Sequence, residues 1–138
     1  MQNIILSIYV PCLDEEKNIT DALNYIKKAI QNINYEILIV DDGSKDRTLE
    51  FAEKFKKENQ NLNIKIFHNE INQGLGFNYY AVAHQAQGKY YMFINGSAVI
   101  PMNTITKMLE NLGKAEMVLT YFPDYKNTFV RKILSKVF

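Results

Sequence analysis

With 138 residues, 47% hydrophobic and 22% charged, the chain is long enough for one domain with its own core and has the make-up of a globular protein. A net charge of +1 removes the electrostatic case for a nucleic-acid partner, and a single cysteine, Cys12, excludes an internal disulfide or a site built on two thiolates. No apolar run is long enough to cross a bilayer, and the opening MQNIILSIYVP lacks the flanks of a secretory signal, so the expected location is cytoplasmic.

ILSIYV (5–10) reads as a first strand. Ile19, Leu23, Ile26 and Ile30 then mark one face of a helix, and Asp14, Glu15 and Glu16 stand ahead of it, where carboxylates suit a helix N-terminus. YEILIV (35–40) is a second strand, followed by a helical face of Leu49, Phe51, Ala52 and Phe55. NIKIFH (63–68) and KYYMFI (89–94) are strands with a helix expected over 77–86 between them, and a further helix is expected over 104–112 behind Pro101. AEMVLTYF (115–122) is a fifth expected strand. In the last segment, Phe129, Val130, Ile133, Leu134, Val137 and Phe138 share one side of a helix, with Arg131, Lys132 and Lys136 elsewhere.

A regular strand–helix repeat with nearly continuous apolar strands implies an α/β, Rossmann-like fold: a mostly parallel sheet, right-handed crossovers and helices on both faces. Residues 1–125 make one domain, and 126–138 an amphipathic helix. The apolar side of that helix needs a packing partner. This domain's own sheet, a membrane surface, a second copy of the chain and a further domain all meet the requirement.

Ligands of open parallel sheets bind beyond the carboxyl ends of the strands. The polar clusters VPCLDEE, VDDGS, HNEINQGLG and INGS all fall at those ends. In VDDGSKDRT, Gly43 permits a tight turn, while Ser44, Asp46 and Thr48 read as turn and cap residues. The adjacent carboxylates Asp41 and Asp42 repel one another and so point to a ligand. A carboxylate here accepts a hydrogen bond from the imide N–H of uracil, or from the N1–H and amino group of guanine. A receiver-type acidic pocket is disfavoured, because its acids belong after the first strand and its lysine late in the sheet. Gly74 and Gly76 let the backbone approach a ligand or turn into the next helix. A dinucleotide fingerprint would need a small residue where Tyr79 stands, and would open the first strand–helix turn. His68 and His84 lack paired ligand spacing, and Tyr79, Tyr80, Tyr90 and Tyr91 read as packing residues.

With these loops placed, the chain resembles the N-terminal part of a family 2 glycosyltransferase, the inverting GT-A group. VPCLDEEKNI resembles that family's V-P-x-x-N-E-E opening, EILIVDDGSKDRT its second-strand signature, and NQGLGFNYYAVAHQAQGKYYMFI its N-x-G-x-G, helix and hydrophobic strand. The G-L-G wording and the closing FVRKILSKVF look closest to the polyprenyl-phosphate (dolichyl-phosphate-type) sugar transferases.

The resemblance implies a nucleotide-sugar pocket. Pro11, Leu13 and Glu15 would line the base and ribose, Val40 and Asp42 would sit against the base with Asp42 accepting its N–H, and Asp41 would support the same turn. The family's D-x-D motif falls on Asn95, Gly96 and Ser97, counting back from Pro101, and a further ligand position falls on Val99. The aspartates would hold Mg²⁺ or Mn²⁺ against the diphosphate. Neutral Asn95 and Ser97 imply that the metal is weak or absent here, with hydrogen bonds to phosphate in its place. Arg131 is the candidate phosphate cation, its alternative being one more solvated charge. Partners implied are a UDP- or GDP-linked sugar and a lipid-phosphate or saccharide acceptor. The C-terminal helix would bring a peripheral contact with the inner face of a membrane or a homo-oligomer. The family's acceptor half and any catalytic base lie beyond Phe138, so no catalytic residue is assigned. A non-catalytic nucleotide-binding or interaction domain, and a fragment of a longer transferase, stay open as alternatives.

Overall fold

The computed structural model describes residues 3–97 and 100–119. Four strands, β1 (Leu6–Cys12), β2 (Tyr35–Asp41), β3 (Asn63–His68) and β4 (Tyr90–Phe93), form one sheet in the order β3-β2-β1-β4. Every pairing is parallel, with Leu6 opposite both Tyr35 and Tyr90, and Glu36 opposite Asn63. Helices α1 (Ile19–Ala29), α2 (Thr48–Glu58), α3 (Leu75–Ala83) and α4 (Met102–Glu110) connect and follow them. None of these helices is long and apolar enough to cross a membrane.

Side chains alternate across each strand, so β1 and β2 serve two cores at once. Leu6, Ile8, Val10, Ile37 and Ile39 bury against Leu23 and Ile26 of α1, Ala52 and Phe55 of α2 and Ile105 of α4. Tyr9, Leu38 and Val40 bury on the other face with Val82 of α3. The chain runs outward from β1 through β2 to β3 and then returns to place β4 on the far side of β1. This reversal makes the carboxyl ends of β1 and β4 the topological switch point of the sheet.

Two boundaries move from their expected places. α3 starts at Leu75 because Gly74, at φ 88°, supplies the left-handed turn ahead of it, and it ends in tight turns in which Gln85 N donates to Val82 O and Ala86 N to Ala83 O. α4 starts directly behind Pro101 rather than at Thr104. The fifth expected strand does not form over the described residues 115–119. There Met117 and Leu119 are exposed, and β4 has no neighbour on its outer edge among the described residues. Strand-like composition yields a strand only when the backbone finds a ladder partner. The expected C-terminal helix over 126–138, and Arg131 within it, lie outside the described residues.

At the amino end of the sheet a fully buried carboxylate, Glu36, ties β2 to β3 and to the loop before β4. It accepts Ser7 Oγ at 2.7 Å and Gln87 N at 2.6 Å and pairs with Lys65 Nζ at 2.9 Å. Burial pushes its pKa up, but hydrogen bonds from Lys65, Ser7 and Gln87 outweigh burial and hold it below the ordinary value. Gly88 N donates to Ser7 Oγ at 2.8 Å, and a methyl group on Gly88 would come within 2.5 Å of Ser7 N and 2.7 Å of Leu6 C. Because backbone cannot move aside as a flexible side chain does, Gly88→Ala is expected to cost about 1–3 kcal/mol in urea unfolding. Unchanged stability would contradict this close approach.

Candidate functional site

All four loops at the carboxyl ends of the strands meet around one cavity of about 300 Å³. Pro11, Cys12, Leu13 and Glu15 come from the end of β1, Asp42 from β2, Asn72 and Gly74 from the loop after β3, Leu75 and Asn78 from α3, and Asn95 and Ser97 from the segment after β4. A larger groove of about 460 Å³ runs along β4 against residues 115–119. It is lined mainly by apolar and aromatic side chains and lacks this convergence of polar loops.

The first two loops are stitched to each other. Asp14 N donates to Ser44 Oγ at 2.9 Å, Glu15 N to Thr48 Oγ1 at 2.7 Å and Glu16 N to Asp46 Oδ2 at 3.0 Å. Lys45 N donates back to Asp14 Oδ1 at 2.7 Å, and Arg47 N to Glu16 Oε2 at 3.2 Å. Asp14 adopts φ 53° to make these contacts. Asp14, Glu15 and Glu16 therefore serve this inter-loop lattice, while α1 itself begins after Asn18. Thr48 Oγ1, with Thr48 N, also donates to Asp46 Oδ1, so the expected cap chemistry and the stitch share the same side chains.

The two adjacent carboxylates part company. Asp41 is fully buried, accepts Ser44 Oγ and lies 2.8 Å from His68 Nδ1, and it does not line the cavity. Asp42 does line it. Its Oδ1 accepts Asn69 Nδ2 and Gln73 N, both at 2.8 Å, and its Oδ2 accepts Gly74 N at 2.9 Å. Burial pushes the Asp42 carboxyl up, but these donors, with a further contribution from the Asn78 amide, hold it below the ordinary aspartate value. Gly43 makes the approach of this turn to the next loop feasible. It sits at φ 83°, and a Cβ there would be 2.9 Å from Asn72 N.

Of the other expected residues, Pro11, Leu13, Glu15, Asn95 and Ser97 reach the cavity, whereas Val40 and Gly96 do not. Val40 is buried in the α3 core, and Gly96 packs against the β1 end, its N–H donating to Pro11 O at 3.2 Å. Ser97 N and Oγ both donate to Asn95 Oδ1, at 3.1 and 2.9 Å, so that amide oxygen has both lone pairs engaged. Val99 lies outside the described residues. Among the described residues no group of three or more His, Cys, Asp or Glu side chains is arranged to hold a metal ion.

Cys12, Asn72, Leu75 and Asn78 line the cavity without having been singled out in the sequence. Cys12 is held as a neutral thiol: burial raises its pKa, helped by the charges of Asp41, Glu15, Asp46 and Asp42, and Sγ donates to Val40 O at 3.3 Å. Near Asp42 the Asn78 amide lies buried and helps hold the carboxylate, and the buried Tyr9 Oη has no hydrogen-bond partner among the described residues. Tyr9 packs its ring among Tyr79, Tyr91 and Phe93 at centroid distances of 5.8, 6.1 and 5.8 Å, and burial together with the charge of Asp42 raises its phenol pKa. Tyr80 meets His84 edge-on at 4.6 Å, and both side chains are exposed on the surface of α3 and its end.

This arrangement has known counterparts. Residues 7–136 match the family described as Glycosyl transferase family 2. The chain belongs to this family. A dolichol-phosphate mannosyltransferase of Pyrococcus furiosus is 28% identical over 137 residues, which is 95% of this chain and 38% of that protein. Among solved structures, the family 2 chain superposes on residues 1–349 of S. aureus TarS in complex with UDP-GlcNAc with a TM-score of 0.66 and 25% identity, covering 89% of this chain and 38% of that one. The mannosyltransferase PcManGT of Pyrobaculum calidifontis, solved with GDP-Man and Mn²⁺, gives a TM-score of 0.71 at 18% identity, covering 81% and 33%. This chain thus spans about two fifths or less of the length of these relatives.

The Asp42 contacts carry a pH signature. A carboxyl held below the ordinary aspartate value of about 3.9 contributes its full stabilisation above that pH, and loses it as the pH falls through the lower folded value. Asp42→Asn is expected to cost about 1–3 kcal/mol at neutral pH. In urea unfolding the gap from the parent chain should hold steady down to about pH 4 and shrink below it. A gap that is undiminished at pH 2 would rule out the ionised Asp42 as its source.

Proposed function

We propose that this chain is the nucleotide-sugar-binding part of an inverting glycosyltransferase, which passes a sugar from a UDP- or GDP-linked donor to a lipid-phosphate or saccharide acceptor. The observation that carries the reading is Asp42, an ionised carboxylate held by protein donors at the carboxyl end of β2 and lining the cavity. Such a group accepts the N–H of a nucleobase. In this reading Pro11, Leu13 and Glu15, which line the cavity from the first loop, flank the nucleoside, and Asn95 and Ser97, which line it from the segment after β4, face the diphosphate. Relatives that act on dolichol phosphate support a lipid-phosphate acceptor, and neighbours solved with UDP-GlcNAc and GDP-Man support a nucleotide-sugar donor.

The residues at the family's metal position fit a divalent ion poorly. Hard cations favour carboxylate oxygen, and here the one amide oxygen available already accepts two protein donors. A metal bound by the family supplies charge compensation for the diphosphate. Of this chain's own side chains there, the Asn95 amide NH₂ would donate to phosphate, the Ser97 hydroxyl could do so only by leaving Asn95 Oδ1, and Arg131 is the proposed cation from the C-terminal segment. An acceptor that is already anionic requires little help from a base. The C-terminal segment provides the membrane-facing or self-associating surface.

Calorimetric titration with UDP and GDP, with and without Mn²⁺, tests both parts. Asp42→Ala is expected to weaken nucleotide binding about tenfold to a hundredfold, the value of one charge-assisted hydrogen bond. Asp42→Asn, which preserves shape, separates lost charge from lost fold. Unchanged affinity in a folded Asp42 variant would sink the base contact. Manganese is expected to alter affinity by less than about threefold, and a large gain would refute the metal-poor site. Absence of binding to any nucleotide would favour a non-catalytic interaction domain.

A further inference from the structure

Resting on that reading, which calls for an acceptor carried by a lipid, the outer side of α3 has a role of its own. Of the eleven exposed large apolar side chains among the described residues, five stand within residues 71–80: Ile71, Leu75, Phe77, Tyr79 and Tyr80. They form a patch rather than a scatter. α3 turns Asn78 and Val82, one helical turn apart, fully into the protein. Phe77 and Tyr80, neighbours at i and i+3, stand on the opposite side at 59% and 69% exposure, and Ile71, at 73%, precedes them in the entry loop.

A helix face turned to water carries charge. α2 presents Glu53, Lys54, Lys57 and Glu58 on its exposed side, whereas residues 71–88 contain no Asp, Glu, Lys or Arg. An uncharged outer side of Phe, Tyr and Ile is the make-up of a surface that leaves water, and tyrosine suits the boundary between lipid headgroups and acyl chains. The patch also adjoins the site. Leu75 lines the cavity with Asn72 and Gly74 of the entry loop, and Leu13, the exposed apolar residue of the first loop, lines it as well. A second copy or a soluble partner seated on the patch would cover this lip, whereas a lipid surface brings acceptors to it.

We infer that the entry loop and outer side of α3 form a membrane-docking face, on which Ile71, Phe77 and Tyr80 enter the interfacial layer of a bilayer and bring the lip of the cavity to the level of lipid phosphates. The attraction is apolar rather than ionic, so it acts on bilayers without net charge and survives salt. This separates it from attraction by Arg131, Lys132 and Lys136 of the C-terminal segment, which would require anionic lipid and weaken as salt rises.

The chain contains no tryptophan, so Phe77→Trp introduces a single fluorescent reporter. With vesicles of phosphatidylcholine alone, its emission is expected to shift to the blue and to be quenched by lipids brominated on the acyl chains, at low and high salt alike. Lys57→Trp, on the exposed side of α2, is expected not to respond. Ile71→Gln, Phe77→Gln and Tyr80→Gln combined change no residue that lines the cavity. They are expected to lower partition onto these vesicles about tenfold or more and to leave UDP and GDP affinities within about twofold. Four results overturn the inference: no response to vesicles, a reporter already shielded before lipid is added, a shift driven by protein concentration alone, and vesicle binding that requires anionic lipid or survives the triple substitution. Each of them leaves nucleotide binding, measured on the same chain, to stand. A parent chain that binds vesicles as described but binds no nucleotide supports the docking face and overturns the reading beneath it.

Discussion

The cavity depends on one buried ion held by uncharged donors. Asp42 stands at the end of β2, where two parallel neighbours and a helix on either face exclude most water, and it keeps its charge because N–H groups replace the lost hydration. Those donors come from one stretch, residues 69–74. The carboxylate thereby fixes the path of the loop entering α3, and with it the positions of Gly74, Leu75 and Asn78 in the cavity wall.

The opposite wall rests on a second set of contacts with the same logic. Backbone N–H groups of the first loop reach the side chains of Ser44, Asp46 and Thr48, and the second loop returns two hydrogen bonds of its own. Loops that would otherwise leave their peptide groups to water are cross-linked, which holds that wall of the cavity in shape. At the amino end of the sheet, Glu36 does for the loop before β4 what Asp42 does for the loop before α3. Both buried acids bind loops to the sheet, and only one faces a cavity.

Much of this was legible from residue order. Strand-length apolar runs separated by segments of helical spacing indicate a parallel sheet with covered faces, and the rule that ligands gather at strand carboxyl ends selects the four polar loops. Family membership followed from the spacing of V-P, V-D-D-G-S and N-x-G-x-G, and the match over residues 7–136 agrees. Less legible were the roles inside each loop. Asp14, Glu15 and Glu16 look like helix-terminal charges because of their position before α1, yet their partners lie about thirty residues away in the second loop. The expected strand at 115–122 has suitable residues but no ladder partner over its described part.

The sequence by itself determined the layering, the order of the elements and the identity of the site-bearing loops, because these depend on periodicity and turn chemistry acting over a few residues. Only the tertiary structure decided which carboxylate of the Asp41–Asp42 pair serves the cavity. Successive strand residues point to opposite faces, and the answer depended on what packed against each: His68 and Ser44 engage Asp41, while α3 and its entry loop surround Asp42. It also decided the place of Asn78, which in the sequence is one polar residue within a helix and in the fold is buried at the cavity beside Asp42.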